Sequence, residues 1–291
     1  MISIAMATFN GEKFVEQQLM SILSQTVKAD EIIICDDKST DNTAAIVQDF
    51  ISRNKMDNVT FISNESNLGY IRNFYKAISL THGDYIFLAD QDDEWHNDKI
   101  EKSIQFMKKT NASAVCTKSH FIDEHSNPIP AHTYIVSTFL SNMTVPFAPI
   151  SFQNLILENI AQGCTYCFTK EVKNHYLALN STNLIHDYQI LFISSLVGCA
   201  YALNESTIDY RLHQNNAAGI QESDSDMHIV WKKPKKKPPM VLFLEDLERR
   251  WTIPYLWFYK LLYCLRVPYF LSVIKRRKIS KKTIINTAEI P

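Results

Sequence analysis

The sequence predicts an α/β protein with a mainly parallel sheet flanked by helices. Two observations predict it. Over residues 1–110, short apolar runs alternate four times with amphipathic helical patterns, the signature of successive βα units. The sharpest run, Tyr85–Ala89, is too short for a helix, follows Gly83, and leads straight into Asp90-Gln91-Asp92-Asp93. Those aspartates sit where a buried strand emerges. In open α/β sheets, ligands bind outside the carboxyl ends of the strands.

Each element has its own sequence reason. Residues 2–7 form the first strand, broken by Thr8-Phe9-Asn10-Gly11. Phe14, Val15, Leu19, Ile22 and Leu23 then repeat at helical spacing, and Asn10 is the expected N-cap. Residues 31–35 form a strand ending in Asp36-Asp37. Lys38-Ser39-Thr40-Asp41 opens a helix that faces inward through Ile46, Val47, Phe50 and Ile51. Val59–Ser63 is the third strand, and Asn67-Leu68-Gly69 turns the chain into a helix bearing Ile71, Phe74, Tyr75 and Ile78. After Tyr85–Ala89, Asn97 caps a helix with Ile100, Ile104 and Met107.

Beyond residue 111 the alternation loosens. A strand is expected over residues 114–122, an irregular proline-rich segment over 127–149, a helix over 155–159 and a strand over 163–169. Ile185-His186-Asp187-Tyr188 precedes an apolar helix over residues 189–197. Strands over 201–203 and 206–212 lead to His213-Gln214-Asn215-Asn216. The expected division is residues 1–110 and 111–220 within one domain, then a basic, aromatic helical tail over 221–291. Residues 221–226 read as a linker. The segment 230–282 carries lysine clusters around Trp, Tyr and Phe, with Pro254, Lys260, Arg266 and Pro268 interrupting the apolar stretch. Such a segment suits a membrane interface, or a helical appendage packed on the domain or on a second subunit.

Composition excludes several classes. The 291 residues are 46% hydrophobic, enough for a full core, and 30 Lys plus Arg against 31 Asp plus Glu give no sign of a nucleic-acid partner. Six scattered cysteines do not form a disulfide framework, and Cys164-x-x-Cys167 lacks a second pair for zinc. Free thiols in a reducing cytoplasm are expected. Met1 runs directly into a strand with no signal-peptide pattern. No Gly-x-Gly-x-x-Gly or P-loop motif follows any strand, which disfavours dinucleotide and P-loop chemistry.

Crowded carboxylates at one strand end repel one another and call for a cation. A hard divalent ion with oxygen ligands, shared with substrate phosphates, meets that need. The same residues would also serve a solvated acidic turn or a helix N-terminus.

Taken in order, Ala7-Thr8-Phe9-Asn10, Ser24-Gln25-Thr26, Ile34-Cys35-Asp36-Asp37-Lys38-Ser39-Thr40-Asp41, Asn67-Leu68-Gly69 and Asp90-Gln91-Asp92-Asp93 resemble the nucleotide-sugar-binding part of family 2 glycosyltransferases. The Asp-Gln-Asp-Asp-x-Trp form, with a later His-Asp and Tyr-Arg-x-His-x-x-Asn, is similar to the bacterial rhamnosyltransferase-like branch that builds surface polysaccharides. The resemblance covers residues 1–216. It implies the GT-A fold, a mixed and mainly parallel sheet, and inverting transfer of a sugar from a UDP- or dTDP-sugar to a glycan or lipid-linked glycan hydroxyl. Rhamnose is the leading donor sugar.

The resemblance also implies roles. Thr8, Asn10 and Asp37 would meet the nucleoside, and Asp90 the ribose or a metal-bound water. Arg72 would meet the nucleotide or a phosphate, unless it is a surface helix residue. Asp92, then Asp93, would ligate Mn2+ or Mg2+. His213 would approach the diphosphate as a ligand or donor, with Arg211 adding positive charge. Gly163 and Cys164 would line the donor sugar. Asp187 would be the base that takes the acceptor proton, unless it caps the following helix; His186 would orient the acceptor or tune Asp187, unless it is a core histidine. The acceptor loop would be residues 127–149. The implied setting is the cytoplasm, peripheral at the inner membrane face. A sugar nucleotidyltransferase and a non-catalytic binding scaffold are the alternatives. The first would need a glycine-rich basic loop after the first strand, where Thr8-Phe9-Asn10-Gly11-Glu12 stands instead.

Overall fold

The structure, a computed structural model, describes residues 1–130, 137–214, 216, 239–253, 256–260 and 263. The chain divides into two compact units, Met1–Lys232 and Lys233–Pro291. The first opens with four strand–helix pairs: β1 (Ile2–Thr8), α1 (Val15–Leu23), β2 (Glu31–Asp36), α2 (Thr43–Arg53), β3 (Val59–Ser63), α3 (Tyr70–Leu80) and β4 (Tyr85–Ala89), then the short β5 (Glu94–Trp95) and α4 (Lys99–Thr110). It continues with β6 (Ala114–Ile122), β7 (Pro128–Ile129), α5 (Thr138–Ser141), β8 (Phe147–Ile150), α6 (Phe152–Leu157), β9 (Cys167–Thr169), α7 (Lys170–Leu179), α8 (His186–Val197) and β10 (Ala200–Arg211).

The strands join one mixed sheet in the order β3-β2-β1-β4-β9-β6-β10-β5, with β7 on β6 and β8 on β10. β1 to β4 are mutually parallel, β9 runs antiparallel to both β4 and β6, and β6 and β10 are again parallel. This is the GT-A fold. Ile4, Ala5 and Met6 of β1 and Ile86 to Ala89 of β4 are wholly buried. They form the unbroken apolar runs of a sheet covered on both faces. Burying each large side chain contributes about 1.5–3 kcal/mol. Strand order reverses between β1 and β4, so their carboxyl ends diverge and open a crevice.

Several local expectations change. Asn10 does not cap α1: it takes a left-handed φ of 50°, and Phe14 is the N-cap, with no side-chain bond. Asn10 Oδ1 instead accepts from Thr40 N at 2.8 Å. Asp98, not Asn97, precedes α4. Residues 163–169 are not one strand: Gly163–Thr165 is a 3-10 turn before β9. The strands expected over 201–203 and 206–212 are a single β10, whose register against β6 shifts near Ser206. The helix expected from residue 189 begins at His186, which puts Asp187 inside its first turn.

In the second unit, α9 (Pro239–Glu248) buries Met240, Phe243, Leu244 and Leu247 at helical spacing, and Trp257 and Phe258 are exposed. The expected linker, the lysine run and most of the aromatic tail lie outside the described residues. No helix among the described residues is long and apolar enough to cross a membrane.

Candidate active site

A cleft of ≈ 470 Å³ lies over the carboxyl ends of β1, β2 and β4. That volume suits a small ligand. Thr8, Asp37, Asp90, Asp92, Gly163 and Asp187 line it. Its lining carries four aspartates and, among the described residues, no Lys or Arg.

Asp37 sits at one end. The turn Asn67-Leu68-Gly69 aims its amides at the carboxylate: Leu68 N donates at 2.7 Å and Gly69 N at 2.8 Å. Gly69 adopts φ 79°, which a side chain would resist. Asn64 Nδ2 donates to Asp37 at 2.9 Å and is itself held by Asn73 and Lys76. Its neighbour Asp36 turns inward, where it accepts from Thr8 Oγ1 and Ser39. Gln91 bridges the exits of β1 and β4. It accepts from Phe9 N at 2.7 Å and donates to Phe9 O at 2.9 Å. Gly11 leaves room for this, since a Cβ there would fall 2.3 Å from Gln91 Cδ.

The acidic corner follows β4. Asp92 Oδ2 is 2.8 Å from His213 Nε2, which β10 delivers after a separation of 121 residues. Burial, then the charges of Asp92 and Asp187, push the Asp90 carboxyl up to about 7. Asp93 lies beneath the cleft, wholly buried, with Oδ1 accepting from Arg211 N at 3.1 Å. Burial, then the charges of Asp92 and Asp90, hold it well above the usual carboxylate range. Donor atoms of Asp90, Asp93 and the Cys164 thiol lie within 4.8 Å of one another, with the thiol buried. Lys99, fully buried over the Trp95 ring, donates to Cys164 O at 2.9 Å and fixes that turn.

Arg211 and Arg72 do not reach the cleft. The five N–H donors of Arg211 are spent on Asp92 O, Asp123 O, Ser126 Oγ, Gln17 Oε1 and Glu94 Oε1. It is a buried strut that ties β10 to the loop after β4. Arg72 donates to Asn180 Oδ1 and lies over the Tyr75 ring.

Asp187 faces the acidic corner from α8. The residue is 8% exposed, and burial pushes the carboxyl up to about 6. Tyr188 N donates to it at 2.6 Å. His186 stacks on Phe74 with centroids 4.1 Å apart, and burial pushes it down to about 3, so the ring is neutral. Asn73 and Gln162, absent from the motifs, and Tyr210 and Asn216, which open and close Tyr-Arg-x-His-x-x-Asn but had no role of their own, also line the cleft. Asn64 and Asn73 precede and follow the Asn67-Leu68-Gly69 turn, a signal that was available.

The corner fits a divalent ion. A cleft with four carboxylates and no Lys or Arg in its described lining repels an anionic ligand unless a cation enters with it. Asp92 and His213 present oxygen and nitrogen donors at one point, a set that a divalent ion can use.

The parallel half-sheet, the antiparallel β9 and the aspartates over the strand ends together define a glycosyltransferase of the GT-A class. The chain belongs to glycosyl transferase family 2, whose sequence profile matches residues 3–169. It is 30% identical over 230 residues to the dTDP-rhamnosyl transferase RfbG of Shigella flexneri, covering 75% of each chain. It is 28% identical over 164 residues to the UDP-Glc:alpha-D-GlcNAc-diphosphoundecaprenol beta-1,3-glucosyltransferase WfgD of Escherichia coli, covering 56% of this chain and 58% of that one. Among solved structures, S. aureus TarS 1-349 in complex with UDP-GlcNAc aligns with a TM-score of 0.65 at 16% identity, over 91% of this chain and 72% of that one. The protein is therefore a family 2 glycosyltransferase.

Proposed function

We propose that the enzyme transfers a sugar, with rhamnose the leading choice, from dTDP or UDP to a hydroxyl of a lipid-linked surface polysaccharide, with inversion. One observation carries this reading: Asp187, buried and raised to about 6, faces the Asp90–Asp92 corner across one cleft. A carboxylate with that affinity for protons can accept the acceptor's proton near neutral pH. Asp37 and its amide-bound turn hold the nucleoside end. Thr8 lines the same wall. Asp92 and His213 would hold the divalent ion, which when bound offsets charge on the leaving diphosphate. Neutral His186 and Phe74 wall the acceptor side and keep water from Asp187. The name of RfbG supports a dTDP-rhamnose donor, and that of WfgD a lipid diphosphate acceptor. An acceptor of that kind would bring the enzyme to the inner membrane face.

The test is a thermal-shift screen with Mn2+ using dTDP, UDP, GDP and ADP and their sugar conjugates. Ligands that bind only the folded state raise its stability by mass action. A Mn2+-dependent rise with dTDP and dTDP-rhamnose supports the reading. A response to UDP-sugars alone replaces the donor, and no response to any of them removes it.

A further inference from the structure

Away from the cleft, three side chains converge at the β5 end of the sheet. Asp209 of β10 pairs with His120 of β6 on one side and opposes Glu94 of β5 on the other; His96 directly follows β5. His96 Nε2 is 2.9 Å from Asp209 Oδ1, and His120 Nδ1 is 3.5 Å from the same oxygen. The three donor atoms all lie within 4.8 Å of one another.

The far nitrogen of His96 settles its tautomer. Nδ1 lies 3.1 Å from Ser206 O, a carbonyl that can only accept, so Nδ1 carries a proton. In the neutral ring, Nε2 then points a lone pair at a carboxylate oxygen. That contact is repulsive unless a second proton or a metal ion joins it. A bond from the far nitrogen to a backbone carbonyl is how metal-ligating histidines are oriented. Tetrahedral zinc, with bonds of about 2.0–2.1 Å, sets its donor atoms roughly 3.3 Å apart. The observed 2.9 and 3.5 Å bracket that spacing.

We propose that His96, His120 and Asp209 bind one zinc ion that fastens β5 to β10 and β6, with water as the fourth ligand. Two imidazoles and a carboxylate suit zinc over Mg2+. Asp98 adds negative charge beside His96, and Lys102 is already paired with Asp98 and Glu205. β5 closely follows Asp92, and β10 ends at Arg211, so the ion steadies both strands that frame the acidic corner without touching the donor.

The full chain is titrated with Zn2+ in millimolar Mg2+, beside His120→Ala and Asp92→Ala. His120 is 63% exposed at its side chain, so its truncation spares the core. Wild type and Asp92→Ala should each take up one zinc by equilibrium dialysis, with a rise in Tm. His120→Ala should keep the zinc-free Tm, lose the rise and bind at least about tenfold more weakly. With Co2+ as probe, wild type should show the absorption of a tetrahedral site and His120→Ala should not. Equal zinc uptake by wild type and His120→Ala would overturn the proposal. So would no uptake by wild type, which would leave His96 as a protonated partner of Asp209.

Discussion

Gly163 lies directly against Asp187. A Cβ added at Gly163 would come within 3.0 Å of the Asp187 Cβ and 3.4 Å of His186 Nε2. The 3-10 turn and the first turn of α8 thus pack backbone to side chain, and the carboxyl in the cleft is set by a missing methyl group.

Gly163→Ala should therefore act on Asp187. Displacing a reacting group by a fraction of an ångström weakens alignment more than binding. We expect kcat to fall about 10- to 100-fold, donor KM to change little, and Tm to drop by a few degrees. Steady-state kinetics against donor concentration checks this.

Asp187→Asn should lose transfer by about 10²–10⁴-fold and keep donor binding, measured by calorimetry. In the wild type, kcat should fall as pH drops through about 6, because only the ionised carboxyl accepts a proton. Stability should follow the opposite course. The folded carboxyl holds its proton more tightly than its ordinary 3.8, so wild-type stability falls as pH rises from about 4 to about 6. Asp187→Asn escapes that loss. At pH 7.5 it should be the more stable by on the order of 1–3 kcal/mol, with the gain gone below about pH 4.

Asp92→Ala should remove metal dependence and weaken the diphosphate together. Chelation with EDTA should abolish wild-type transfer, and Mn2+ should restore it. The variant should bind free nucleoside diphosphate equally with and without Mn2+. A variant that still shows Mn2+-dependent binding would shift the ion's place to Asp90 and Asp93.

Arg211→Ala should destabilise the fold by about 3–5 kcal/mol. It leaves Glu94 and four further acceptors facing an empty site. Arg211→Lys should recover little, because an ammonium cannot reproduce a planar fork of five donors. Chemical denaturation measures both.

β2 and β4 were legible because each is an apolar run that ends against Asp; Ser3 and Thr60 interrupt β1 and β3, which were legible from their alternation with helical patterns. Gly163-Cys164-Thr165 was not, because a buried turn and a buried strand look alike in composition. Asn204-Glu205 looked like a break, yet β10 absorbs it as a register shift against β6. Motif order placed Asp37, Asp90 and Asp92 at strand ends, which is local information. It could not foresee that the donors of Arg211 are consumed inside the protein. Nor could spacing alone foresee that His213 meets Asp92 across a separation of 121 residues; only the family resemblance put both at the metal and diphosphate. The expectation that Asn10 caps α1 failed because Thr40 N offers its Oδ1 a partner across the sheet end.

The double bond between Gln91 and the Phe9 backbone has a bearing on re-engineering donor preference. Residues 9–11 and Gln91 are distant in sequence but work as one cassette: Gln91 shapes the loop, and Gly11 makes space for Gln91. Grafting a relative's loop while keeping the host's residue at 91, or the reverse, would join mismatched halves. Chimeras and saturation libraries aimed at a new nucleotide sugar should therefore vary the two segments together.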